Sequence, residues 1–177
     1  MRIAFTGHRP SGLPFRDNDK SEHGRNLKIM LWQEILGRIG IGYDTFYCGA
    51  AMGADIICGE LVLLAKPRVE KPIKLICVVP FQGQAERWGE TWQERYKVLL
   101  DQSDEVVCLS ETYNDQCYST RNRYLVDHAD TLIAVYNGTR RSGTYQTINY
   151  AYHQRKEIVC FDPNTLQRGI IPLKETH

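Results

Sequence analysis

The most informative pattern in this chain is TLIAVYNGTRRSGTYQTINYAYHQRK, residues 131–156. TLIAVY (131–136) is a short apolar run with β-branched and aromatic residues, which predicts a buried strand. NGTRRSGT (137–144) is a glycine-bearing turn. Residues 145–156 have apolar side chains at helical spacing and end in basic residues, as helices commonly do. The stretch therefore predicts a strand, a turn and a helix in succession.

The start of this predicted helix is a candidate anion site. The first backbone N–H groups of a helix have no partner inside it and carry the positive end of its dipole. Gly143 allows a ligand to approach the backbone closely. Ser142 and Thr144 can cap the helix or donate to a phosphate, and Arg140 and Arg141 add positive charge. A nucleotide phosphate is the anion we favour, although an ordinary loop with a serine cap fits the same residues.

Length and composition describe an ordinary globular protein. The 177 residues fit a single domain, 1–177, with enough chain to bury a core. Apolar residues make up 42% and charged residues 24%, and the net charge of +1 gives no general reason to expect nucleic acid as a partner. No apolar run is long enough to cross a bilayer and no signal-peptide pattern is present, so we expect a soluble, cytoplasmic protein with no membrane partner.

The cysteine pattern predicts structural thiols. None of the six forms a CxxC pair, and four fall in predicted strands, where a thiol acts as a small hydrophobe. We expect all six to be reduced and mostly structural. Because the five histidines are also scattered, we expect no metal site. The cysteines are Cys48, Cys58, Cys77, Cys108, Cys117 and Cys160.

Strand and helix patterns alternate along the whole chain. The predicted strands are 2–7, 44–49, 74–81, 105–110, 131–136 and 157–162; the predicted helices are about 24–40, 50–66, 82–102, 117–129 and 145–156, with a long polar loop before the first helix and an irregular tail after residue 162. This alternation predicts an α/β, Rossmann-like, doubly wound and mostly parallel sheet with helices on both faces. Ligands of such sheets bind beyond the C-terminal ends of the strands, where the strand order reverses.

Several candidate site residues follow the first two strands. Gly7, His8 and Arg9 end the first; Arg9 is a natural bidentate phosphate partner, and His8 can hydrogen-bond a ligand or act as an acid or base. The alternative is a surface histidine and arginine in a mobile loop. After the second strand, Gly49, Ala50, Gly53 and Asp55 form a turn that lacks both the GxGxxG spacing and the P-loop lysine. These four residues fit either close helix–sheet packing or a second phosphate or ribose contact.

The remaining candidates lie after later strands. Gln84, Trp88 and Trp92 are spaced to share one helical face; we expect Trp92 in the core, and Phe81, Gln84 or Trp88 beside a base. Arg121 and Asn122 open the predicted helix at 117, from which Arg121 could reach a phosphate, although an arginine is more often solvated. Asn137 and Gly138 follow the central strand.

Five motifs together resemble a known family. They are TGHRP at the start, GAAMGAD, PFQGQAERW, RNRYLVDHAD, and LIAVYNG followed by a GT turn, and they cover nearly the whole chain. The chain resembles the SLOG superfamily, which includes the DNA-processing protein A family and the lonely-guy phosphoribohydrolases, and within it a branch of small bacterial proteins with the TGHRP motif. The resemblance implies a nucleotide-derived ligand at the C-terminal edge of the sheet.

The same resemblance allows the catalytic residues of the phosphoribohydrolases to be compared with this sequence. The phosphoribohydrolases carry a PGGxGTxxE turn, in which the glutamate and an upstream arginine support cleavage of the N-glycosidic bond. Arg121 fits the arginine, but Thr147 occupies the place of the glutamate. A threonine cannot stabilise charge or accept a proton as a carboxylate does. We therefore expect ligand binding without this hydrolysis.

Three functional hypotheses follow. The favoured one is a protein that senses or sequesters a nucleotide-derived small molecule, because SLOG-like domains also serve as receptors for nucleotide signals. We expect this protein to require no cofactor. The second is an N-glycosidase or phosphoribohydrolase that uses Asp55, or less favourably Glu86. The third is a DNA-associated protein, against which the near-neutral charge argues. A homodimer or larger oligomer is compatible with all three.

Overall fold

The computed structural model describes residues 1–171, which form a seven-stranded sheet flanked by five α-helices. The strands are β1 (Arg2–Gly7), β2 (Thr45–Cys48), β3 (Lys74–Val79), β4 (Glu105–Cys108), β5 (Thr131–Val135), β6 (Glu157–Asp162) and β7 (Gln167–Ile171). The helices are α1 (Glu22–Gly40), α2 (Ala54–Ala65), α3 (Glu90–Gln102), α4 (Cys117–Asp127) and α5 (Gly143–His153), with short 3-10 turns at Pro10–Gly12 and Lys66–Arg68.

The strand order in the sheet is β4-β3-β2-β1-β5-β6-β7. The chain builds outward from β1 through β4, then returns to the other side of β1 with β5. All strand pairs are parallel except β6 with β7. The order therefore reverses between β1 and β5, which is where this class of sheet binds its ligands. The prediction of a Rossmann-like, mostly parallel α/β sheet is confirmed.

Helices cover both faces of the sheet because successive side chains of a strand point in opposite directions. In β1, Ile3 and Phe5 join the core under α1, α2 and α3, whereas Ala4 joins the core under α4 and α5. All five residues of β5 are buried, as expected for a strand covered on both faces. The candidate site lies at the C-terminal ends of these two central strands.

Three predictions of local structure are wrong. The third helix begins at Glu90, not at residue 82, because Gly83 has a φ of +80° and Gly89 is the extended N-cap. The predicted irregular tail contains β7, an edge strand that pairs antiparallel with β6; the remainder of that tail, 172–177, lies outside the described residues. Cys108 is exposed rather than packed, because β4 is the other edge strand.

An ion-pair network closes the opposite, N-terminal edge of the sheet. Arg38 of α1 is buried and donates two hydrogen bonds to Glu157, of 2.7 and 2.8 Å, and one of 2.8 Å to Glu34. The hydrogen bonds from Arg38 lower the pKa of Glu157. Because Glu157 begins β6, this network ties α1 to the sheet far from the strand ends that carry the candidate site.

None of the helices in residues 1–171 has the length and apolar character that a bilayer crossing requires.

Candidate ligand site

A cleft of about 320 Å³ opens at the C-terminal ends of β1 and β5, where the strand order reverses. Four segments form it: the end of β1 with the loop after it, the β2–α2 turn, the first turns of α4, and the start of α5. Most of the predicted site residues of these segments meet here. The lining residues are Thr6, Gly7, His8, Arg9, Ser11, Gly12, Ala51, Asp55, Tyr118, Arg121, Asn122, Ser142, Gly143 and Thr144.

The start of α5 presents two backbone amides to this cleft. The Ser142 hydroxyl accepts a hydrogen bond from the Tyr145 amide at 3.1 Å and donates to the Thr139 carbonyl at 2.8 Å. Ser142 is therefore the helix cap, and its hydroxyl is already occupied. Among residues 1–171, the amides of Gly143 and Thr144 have no hydrogen-bond partner. A Cβ on Gly143 would meet nothing within 4 Å, so an anion could approach this backbone closely.

Arg121 reaches the cleft from α4 and is buried, contrary to the usual solvated arginine. Its Nη1 donates to the Gly49 carbonyl and lies 3.5 Å from Asp55 Oδ2, and its Nε donates to Asn122 Oδ1 at 2.8 Å. Nη2 has no partner in the described part of the chain. A Cβ on Gly49 would overlap the guanidinium, so glycine is required there for Arg121 to lie in this position. The result is a fixed cation with donors left over for a ligand.

Asp55 lies at the bottom of the cleft, in the first turn of α2. Burial raises its pKa, and the charges of Arg121 and Arg9 and the Ala51 backbone oppose that shift. With only 5% of its surface exposed, Asp55 is held where a proton is bound more readily than on a solvated aspartate. It could serve as a counterion for Arg121 or as a proton donor.

His8 holds two loops of the site together. Its Nε2 accepts a hydrogen bond from the Asn137 amide at 3.1 Å, and its ring stacks on Tyr136 with centroids 5.7 Å apart. Burial lowers the pKa of His8, which favours the neutral ring that this acceptor role requires. Asn137 in turn donates to the Gly12 carbonyl at 3.0 Å. His8 and Asn137 thus fix the wall of the cleft, and Asn137 does not line it.

Other predicted site residues lie behind or beside the cleft. Gly53 has a φ of +91° and packs so closely on His8 that a Cβ would overlap the His8 carbonyl oxygen. Gly49 and Ala50 are buried in the same turn, and Gly138 lies on the β5–α5 turn with a φ of +88°. These glycines shape the backbone around the cleft, but they do not line it.

A second cavity of about 690 Å³ adjoins the cleft, and Arg9 and Tyr118 line both. We call this cavity the aromatic groove; it is lined by Arg9, Met52, Phe81, Gln82, Gly83, Gln84, Glu86, Arg87, Trp88, Glu111, Thr112, Tyr113 and Tyr118. The predicted base-flanking residues Phe81, Gln84 and Trp88 all fall in it. Trp92, as predicted, is in the core, where its indole N–H donates to Asp17 at 2.7 Å.

The charged groups of the cleft suit an anion. Arg9 and Arg121 contribute two guanidinium groups beside the positive end of α5, and Asp55 is the carboxylate among the cleft lining. Within residues 1–171, no group of three or more His, Cys, Asp or Glu side chains is arranged to hold a metal ion.

A family model described as the YspA SLOG family matches residues 3–166 of the chain. The chain belongs to the YspA SLOG family. The expected SLOG membership is thereby confirmed.

Three similar proteins come from Bacillus and Listeria species. The SPbeta prophage-derived protein YoqJ of Bacillus subtilis strain 168 is 30% identical over 118 residues, which cover 60% of this chain and 68% of YoqJ. A UPF0398 protein of Bacillus pumilus is 29% identical over 138 residues, covering 76% of this chain and 73% of the relative. The UPF0398 protein lmo1889 of Listeria monocytogenes is 23% identical over 183 residues, covering 98% of each.

A solved structure shares the fold. The X-ray structure of TM1055, a Northeast Structural Genomics Consortium target, superposes with a TM-score of 0.54 over 89% of this chain and 71% of its own, at 17% sequence identity. At this identity the likeness bears on the fold alone.

Thr147, in the place of the phosphoribohydrolase glutamate, lies away from the cleft. Thr147 is buried, and its hydroxyl donates to the Gly143 carbonyl at 2.9 Å. It does not line the cleft. The residue in the place of the glutamate is therefore occupied in helix packing.

Some residues of the site were not among the predicted ones. Ser11 and Gly12 line the cleft, and Tyr113 and Tyr118 line the groove. Tyr118 lies three residues before Arg121, one helical turn away, so helical spacing from Arg121 contained a signal for it. Tyr113 is on the loop after β4, so its position behind a strand was the signal in the sequence.

Proposed function

We propose that this protein binds a nucleotide or nucleotide-derived small molecule, and thereby senses or sequesters it, without hydrolysing it. The observation that carries the proposal is the pair of amides at Gly143 and Thr144, which have no partner among residues 1–171 and face a cleft flanked by Arg9 and Arg121. The phosphate would lie against these amides at the switch point of the sheet.

The cleft is built to hold an anion without rearranging. Arg121 is already fixed by Gly49, Asp55 and Asn122, so little side-chain entropy would be lost when it binds a phosphate. Gly143 leaves the space above the helix start open. Preorganised amides and a fixed guanidinium are the donors that phosphate oxygens accept from most strongly.

The proposal leaves out hydrolysis because of Thr147. In place of a carboxylate, this position has a buried hydroxyl that is hydrogen-bonded inside its own helix. It has neither the charge to stabilise a developing oxocarbenium ion nor access to the cleft. The arginine that fits the family pattern, Arg121, remains available for binding.

Isothermal titration calorimetry with a panel of nucleotides tests the proposal. The panel contains nucleoside mono-, di- and triphosphates, cyclic nucleotides, dinucleotides and ADP-ribose. We expect at least one member to bind with a dissociation constant well below 1 mM. No heat from any member at millimolar concentration would contradict the proposal. Mass spectrometry of small molecules released from the purified protein provides an independent route to the ligand.

A second candidate function rests on Asp55. It lies in the cleft, and burial raises its pKa, which is the property required of a carboxylic acid that protonates a leaving base. An N-glycosidase would release free base from a nucleoside monophosphate, and Asp55→Asn would abolish the release. Chromatography that finds no free base from any common nucleotide after overnight incubation would remove this candidate.

A further inference from the structure

We propose that the aromatic groove is the subsite for a nucleobase, so that the ligand spans both cavities with its phosphate in the cleft and its base beside Phe81. This inference rests on the proposed function and refines it. The ligands recognised by the two cavities would be compounds in which an anionic group is joined to an aromatic nitrogenous ring with an N–H donor. Sugar phosphates and inorganic phosphate would fill only half of the site.

The two cavities lie side by side and share two lining residues. Arg9 and Tyr118 line both of them, and the Arg9 guanidinium lies over the Tyr118 ring at 5.3 Å from its centroid. A ligand that extends from the start of α5 into the groove would therefore pass the Arg9–Tyr118 pair. The delocalised guanidinium can hydrogen-bond a phosphate and also stack on a ring, which suits a residue placed between a phosphate and a base.

Three aromatic side chains form one side of the groove. The ring centroid of Phe81 lies 5.5 Å from that of Tyr113 and 5.9 Å from that of Tyr118. In both pairs the two ring planes are 81° apart. Edge-to-face packing is a favourable contact between these rings, and it leaves ring faces available for stacking with a ligand. Tyr113 is 59% exposed, which is unusual for a large aromatic residue within a cluster. A flat apolar ligand would cover this surface.

The charges of the two cavities differ. The cleft has Arg9, Arg121 and the start of α5 for an anion. In the groove, the carboxylates of Glu86 and Glu111 balance Arg9 and Arg87. The groove thus has no net positive charge to favour a second phosphate. Carboxylates beside an aromatic surface suit a neutral ring that carries N–H groups.

A buried oxygen of Gln84, which lines the groove, has no hydrogen-bond partner among the described residues. Gln84 is 4% exposed; its Nε2 donates to the Ala50 carbonyl at 3.3 Å, and its Oε1 is buried without a hydrogen-bond partner. Within the described part of the chain it is the one buried side-chain oxygen or nitrogen in this condition. A buried acceptor without a donor is costly unless a ligand supplies one. Gln84 is among the residues that line the groove, and a shift of its amide toward the groove would let the amino group or ring N–H of a base donate to Oε1.

The test compares two ligands that differ only in the base. Calorimetry measures the affinities of adenosine 5′-monophosphate and ribose 5-phosphate for the whole protein and for the variants Phe81→Leu and Gln84→Met. Stacking of a base typically strengthens binding by about 5- to 150-fold. We expect adenosine monophosphate to bind at least about fivefold more tightly than ribose 5-phosphate in the wild type. Both substitutions should reduce that ratio while leaving the affinity for ribose 5-phosphate unchanged.

The ribose 5-phosphate affinity serves as a fold control within each variant, and Tyr152→Leu, a half-buried aromatic on α5 outside both cavities, serves as the matched substitution. A base-dependent ratio that survives both groove substitutions would overturn the inference and leave the proposed function standing. Equal binding of the two ligands to the wild type would also overturn it, since the base would then contribute nothing. If neither ligand binds and the nucleotide panel also gives no heat, the proposed function fails together with the inference.

Discussion

Replacing Gly143 by valine should abolish most of the ligand affinity while leaving the fold intact. Gly143 is the first residue of α5, and a Cβ there would meet no protein atom within 4 Å. The branched side chain would therefore enter the open space of the cleft rather than the core. It would keep a phosphate away from the amides of Gly143 and Thr144.

The expected magnitude follows from the bonds lost. A hydrogen bond to a charged group contributes about 1.5 to 3 kcal/mol, so losing two of them costs about 3 kcal/mol or more. This corresponds to at least roughly 100-fold in the dissociation constant. Folding should change little, because valine and glycine differ by only about 0.5 kcal/mol in helix propensity and nothing is overpacked.

The assay is calorimetry with the tightest nucleotide of the panel, beside a thermal melt of each variant. Gly37→Val is the matched control, because Gly37 is an exposed helical glycine of α1 with equally open space around its Cα. We expect Gly37→Val to bind like the wild type. If Gly143→Val melts normally and its dissociation constant changes by less than threefold, the phosphate does not lie at the start of α5.

Three further substitutions separate the parts of the account. Asp55→Asn should strengthen nucleotide binding by about 1 kcal/mol, roughly fivefold in calorimetry, by removing a negative charge beneath the phosphate; weaker binding would contradict this. Burial raises the pKa of Asp55, so protonated Asp55 stabilises the fold below its unfolded pKa of about 3.9, and this stability is lost as pH rises through the folded pKa. In urea unfolding, Asp55→Asn should lack this decline of the unfolding free energy with rising pH. Gly49→Ala should displace Arg121, lower stability by about 1 to 3 kcal/mol in a thermal melt and weaken binding about tenfold; a variant that binds normally would show that Arg121 is not a ligand contact. Arg38→Met should cost about 2 to 3 kcal/mol in urea unfolding, allowing for the partly exposed Glu157, and leave nucleotide affinity unchanged. Since Arg38 lowers the pKa of Glu157, the wild type should lose this contribution as pH falls through the folded pKa, below the unfolded value of about 4.3, and a variant with the same acid slope would contradict the assignment.

The central fold could be predicted from the sequence because its strands are buried on both faces. β1 and β5 are nearly continuous apolar runs, and that pattern depends only on their own residues. β7 could not be predicted in the same way. Gln167–Ile171 has no alternation, and it is a strand because β6 offers it an edge to pair with.

The start of α3 shows the limit of periodicity. Gln84, Trp88 and Trp92 are four residues apart, which imitates one helical face. The positive φ of Gly83 and the extended conformation of Gly89 put the helix start at Glu90 instead. Spacing alone reports which side chains are apolar, and it does not report how a glycine uses its conformational freedom.

The site could be predicted in outline but not in its contacts. The position after each strand identified Arg9, Asp55 and the start of α5, because parallel strands end at one edge. The burial of Arg121 depends on the absence of a Cβ at Gly49, 72 residues earlier. No local pattern contains a contact between residues so far apart in sequence.

The central claim is that a phosphate-bearing metabolite binds the free amides at the start of α5. The most direct measurement is a ¹H–¹⁵N NMR titration of the protein with the tightest nucleotide of the panel, in which each backbone amide reports separately. The account predicts that the Gly143 and Thr144 resonances move downfield as the phosphate accepts their hydrogen bonds, with the largest shifts in the molecule. Saturable shifts elsewhere, with these two resonances unmoved, would contradict it.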